Sequence, residues 1–67
     1  MTEIEKNEAF KKTITQIERT YKKRLLFPIS HYFEWRTHPY NLVFDTKKSL
    51  DYDIKEMVIK SYNEIFK

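Results

Sequence analysis

His31 and His38 are the only imidazoles in this sequence, and Glu34 and Asp45 are the carboxylates close enough along the chain to join them in a metal site. A zinc site needs about three or four ligands, each held by an outer layer of hydrogen bonds, and this spacing matches no established ligand pattern. The two histidines therefore read as surface or hairpin residues, and no metal is assigned. Ser30 adjoins His31, but adjacency in sequence is not the meeting in space that a nucleophile and its base require, and nothing nearby supplies an oxyanion hole. Asp51 and Asp53 are a carboxylate pair better explained by the positive end of a helix.

Glycine and cysteine are both absent. Without glycine there is no low-cost positive φ and no bare backbone to press against a phosphate, so phosphate loops and dinucleotide-binding turns are excluded. The missing cysteines remove disulfides, thiol chemistry and zinc ribbons, and leave the redox compartment unread. No catalytic or cofactor-binding residue is assigned, and a protein that is not an enzyme and carries no cofactor is expected.

What remains is chemistry of contact. The stretch HYFEWRTHPY gathers Tyr32, Trp35, Arg36 and Tyr40, the residue types that dominate binding hot spots. A second candidate is a basic helical face formed by Lys11, Lys12, Arg19, Lys22 and Lys23, suited to nonspecific phosphate contacts. Net charge is +3, yet residues 10–28 alone carry +5, while residues 45–67 balance to zero. Any electrostatic footprint thus belongs to the first half of the chain. Arginine, the bidentate reader of guanine, occurs at three positions only, and no helix-turn-helix pattern is present.

Three blocks must position these groups. Thr2 and Glu5 have capping-box spacing, and Phe10, Ile14, Ile17, Tyr21 and Leu25 repeat at helical steps. A helix is predicted over about 2–27, ended by Pro28, with Glu8 to Lys12 and Glu18 to Lys22 as favourable i,i+4 pairs. Residues 29–46 favour strands by composition. Strands are predicted over 31–36 and 41–45, joined by a four-residue loop, Thr37 to Tyr40, on a type I turn. In that arrangement Phe33 and Trp35 face the core while Tyr32, Glu34 and Arg36 face out. A second helix is predicted over about 50–66, started by Ser49, with Leu50, Ile54, Met57, Val58, Ser61 and Ile65 on one face. Tyr52, Ile59 and Phe66 form a second apolar face, which must be covered by the hairpin or by another chain.

The fold class expected is α+β, a single small domain over 1–67 of helix, two-stranded antiparallel hairpin and helix, with a three-helix all-α bundle as the alternative. The longest apolar runs are three residues, so neither a membrane span nor a secretory leader is expected, and the expected location is the cytoplasm. Phe, Tyr, Met, Ile, Asn and Lys total 32 residues against 6 for Gly, Ala, Arg and Pro, the bias of an A/T-rich genome such as a low-G+C bacterium, its phages or a large DNA virus. The expected mode of action is binding to a larger host protein, through Tyr32, Trp35, Arg36, Tyr40, Tyr52, Ile59 and Phe66, as an effector or inhibitor of phage or mobile-element origin. The alternatives are a nucleic-acid-binding module, as a possible homodimer, and a structural subunit of a viral assembly.

Overall fold

The computed structural model describes residues 2–67. Helix α1 spans Glu3–Tyr21, two 3-10 turns follow at Lys22–Arg24 and Ile29–His31, strands β1 (Phe33–Thr37) and β2 (Tyr40–Phe44) form an antiparallel hairpin, and helix α2 spans Tyr52–Phe66. The order is helix, hairpin, helix, an α+β domain. No helix among the described residues is long and apolar enough to cross a membrane.

The start of α1 is fixed by the expected capping box. The Glu5 amide donates to Thr2 Oγ1 at 3.2 Å, and the Thr2 amide donates back to the Glu5 carboxylate at 3.2 Å. Phe10, Ile14 and Ile17 then bury the apolar stripe. The helix ends several residues before the predicted stop, at Tyr21, and the chain tightens into the first 3-10 turn. The reason is tertiary: the turn that follows has its amides taken by side chains rather than by another helical turn. Leu26 and Phe27 donate to the Tyr32 hydroxyl at 3.1 and 3.3 Å, and Ile29 donates to the Glu18 carboxylate at 2.7 Å. Glu18, expected to pair with Lys22, is thereby committed to the turn.

The hairpin pairs Phe33 with Phe44, Trp35 with Leu42 and Thr37 with Tyr40 on its inner face. Glu34, Arg36, Asn41 and Val43 lie on the outer face, as the alternation of side chains along a strand requires. β1 starts two residues later than predicted. The connection is two residues, His38 and Pro39, joined by a cis peptide bond, in place of the four-residue type I loop.

Helix α2 has Asp51 rather than Ser49 at its cap, with no capping side-chain bond, because the Asp51 carboxylate is drawn to Arg24. Its buried stripe is Ile54, Val58, Tyr62 and Phe66, a fourfold step that differs from the predicted face. Met57, expected inside, is 39% exposed. The stripe faces α1 and the hairpin together, which a choice of one flat face does not capture.

Phe10 is the hub of the core. It is fully buried, and the rings of Phe33, Trp35, Tyr62 and Phe66 meet it edge-on at centroid distances of 6.3, 4.9, 5.5 and 5.7 Å. Such pairs contribute about 0.5–1.5 kcal/mol each beyond area burial, so one ring joins both helices to the sheet.

Candidate functional site

The residues expected to form one contact surface are divided by the fold. Tyr32 and Phe66 are core, at 3% and 3% exposure, which corrects their assignment to a partner-facing surface. Tyr32 lies one residue before β1, where its phenol turns back to cap the amides of Leu26 and Phe27. Phe66 is covered from within the chain, by Phe10, Trp35 and Tyr40. Trp35 is half-buried on the inner face of the hairpin, whereas Arg36 is exposed on the outer face.

Tyr40, Ile59 and Tyr52 remain accessible. Tyr40 is 47% exposed and lines a hollow between β2 and α2 with Ile59. Tyr52 is 75% exposed, in the first turn of α2, and its hydroxyl is held above its ordinary pKa by the hydrogen bond and charge of Glu56.

Three of the five cations expected on one face meet: Lys11, Lys12 and Arg19 border a shallow hollow with Thr15 and Gln16. Lys22 and Lys23 lie in the first 3-10 turn, and Lys22 borders a separate hollow with Leu26 and Phe27. All five are exposed.

The groups that could do chemistry stand apart from one another. His38 Nε2 lies 2.7 Å from the Glu3 carboxylate, joining the hairpin turn to the start of α1. Thr37 and His38 together hold the Glu3 carboxyl below its usual range. His31, Glu34 and Asp45 border an open hollow with Ser30, but the Asp45 carboxylate accepts from the Lys47 amide at 2.9 Å and from Lys48 Nζ at 3.1 Å, and both bonds lower its pKa. Among the described residues no group of three or more His, Cys, Asp or Glu is placed to hold a metal ion.

Two surfaces escaped the sequence reading. The first is the turn after α1, where Leu26 is 89% and Phe27 45% exposed. The consecutive apolar triplet of residues 25–27 was its signal, since an irregular turn cannot point three adjacent side chains inward. The second is a cleft along β2, where Lys47, Lys48 and Lys55 line one hollow and Lys67 the next. Nothing in the local sequence joins these lysines.

The Leu26 turn is firmly buttressed. Arg24 donates from Nε to Asp51 at 2.9 Å and clasps Asp53 with both terminal nitrogens at 2.9 and 2.8 Å. That fork, Asp53 first and Asp51 second, raises the guanidinium pKa and lowers that of Asp53. The Phe27 ring meets Tyr32 edge-on at 6.0 Å and carries the Lys48 ammonium 5.5 Å from its centroid.

The sequence matches no protein-family model, no curated protein and no solved structure.

Proposed function

We propose that this chain is a small non-enzymatic protein-binding effector that occludes a surface of a larger host protein. The observation that carries this reading is Leu26, a large apolar side chain 89% exposed on a backbone that the chain itself holds rigid. Burying a leucine contributes about 1.5–3 kcal/mol, and an already ordered turn loses little entropy on binding. Leu26 stands out as an apolar knob beside a hollow that it lines with Phe27 and Pro28, a relief to which a partner surface can fit. The compositional bias toward A/T-rich codons fits a phage or mobile element acting in a low-G+C host.

The test is capture from a low-G+C bacterial lysate with the wild-type chain and with Leu26→Asp. One prey at equal stoichiometry, retained at about 0.5 M salt and lost in the variant, is the expected result. A variant that folds and still captures that prey overturns the reading.

The group of cations on α1 favours a second reading, nonspecific nucleic-acid binding. Its affinity would fall steeply with salt through counterion release. Absence of binding to DNA and RNA at about 50 mM salt would end it.

A further inference from the structure

β2 has an open edge, and its phase can be worked out. The Asp45 amide donates to the Tyr32 carbonyl at 2.8 Å, so that pair exchanges ladder hydrogen bonds. Bonded and non-bonded pairs alternate in an antiparallel ladder. Glu34 with Val43 is therefore the next bonded pair, and Trp35 with Leu42 and Phe33 with Phe44 are non-bonded pairs. The main-chain N–H and C=O groups of Leu42 and Phe44 point away from β1, toward the free edge.

That edge runs beside α2. Two hollows, of about 670 and 330 Å³, share Leu42 and Phe44 and so form one cleft along the strand. Its apolar lining includes Leu50 at one end and Ile59 at the other. Its charged lining is Lys47, Lys48, Lys55 and Lys67 against Asp45 alone. Lys48 is paired with Asp45, and no ion pair among the described residues involves the other three lysines.

We propose that the cleft between β2 and α2 receives an extended acidic segment of a partner protein, added as a third strand against Leu42 and Phe44. Main-chain hydrogen bonds to the edge supply affinity, and alternate side chains of the added strand reach the apolar lining. Carboxylates on that segment meet the unpaired lysines. A second copy of this chain is disfavoured, because two such edges would bring the same lysines together. The inference shares with the preceding section only its class of partner, a protein, and does not depend on Leu26.

The experiment selects a display library of random peptides of about 12 residues on the intact chain, an extended segment being the probe that strand addition requires. Enriched peptides are expected to be acidic with apolar residues at alternate positions. They should slow amide exchange at Leu42 and Phe44, and lose about tenfold in affinity to the chain carrying Lys55→Glu and Lys67→Glu. Lys67 is exposed, whereas Lys55 is half-buried with its ammonium 5.0 Å from the Phe44 ring, so circular dichroism checks that the double variant folds. Leu26→Asp should bind the peptides unchanged, which separates failure here from failure of the knob. No enrichment, enrichment of basic peptides, exchange protection on α1 instead, duplex DNA slowing the same two amides, or dimerisation of the chain through β2 would each overturn the proposal.

Discussion

The Tyr62 hydroxyl of α2 sits between the two strands of the hairpin, accepting from the Asn41 amide at 2.8 Å and donating to the Arg36 carbonyl. Arg36 and Asn41 face each other across the ladder, at a pair whose phase is hydrogen-bonded. The phenol thus takes the place of a direct rung and fastens the helix to the sheet.

Replacing that group tests the arrangement. Tyr62→Phe keeps the ring in the core but strands a donor and an acceptor, so a loss of about 1–3 kcal/mol is expected in urea denaturation. Unchanged stability would mean that the strands close the rung themselves once the hydroxyl is gone.

Trp35 is the next test, because its ring packs against Phe10 at 4.9 Å and Phe66 at 5.5 Å. Trp35→Ala should cost about 3 kcal/mol or more, a large share of what holds so small a domain together. Thermal melts followed by circular dichroism will show it. A fully stable variant that no longer binds its partner would reassign Trp35 as a contact residue.

Acid should loosen the fold through a defined set of carboxylates. Asp53, Glu3 and Asp45 are all held below their ordinary pKa, so the unfolded chain binds more protons than the folded one in that range. Their contribution is complete above the ordinary carboxylate pKa and drains as pH falls through the lowered values. All three lie near the surface, so the effect is modest. Arg24→Gln should flatten the acid limb of a stability–pH curve, and an unaltered curve would count against the fork.

The cations of α1 should matter little to folding. Lys12→Glu, Arg19→Glu and Lys23→Glu combined should leave the melting temperature nearly unchanged, since exposed charges contribute about 1 kcal/mol or less each. If the triple variant keeps its fold and loses its function, the partner is electrostatic.

The start of α1 was legible because it is local: Thr2 and Glu5 satisfy each other within one turn, and Phe10, Ile14 and Ile17 repeat at the period of the helix. The hairpin was legible from its β-branched and aromatic residues. The end of α1 was not, because the amides after it are taken by the side chains of Tyr32 and Glu18, and Arg24 there finds its partners at Asp51 and Asp53, far along the chain. Tyr32 misled for a related reason. Strand alternation placed it outward, yet it precedes the strand, and its side chain answers to the unsatisfied amides of an earlier turn. Of the residues expected to meet a partner, Arg36, Tyr40 and Tyr52 are exposed. Phe66 followed a sevenfold spacing with Tyr52 and Ile59 that the fourfold buried stripe overrides.

Tyr32 belongs to two systems at once. Its phenol steadies the knob bearing Leu26, while its own carbonyl receives Asp45 and opens the ladder. The two functions sit on different atoms, so they are separable: Tyr32→Phe should set Leu26 swinging like an untied mooring line while the first rung of the sheet stays closed.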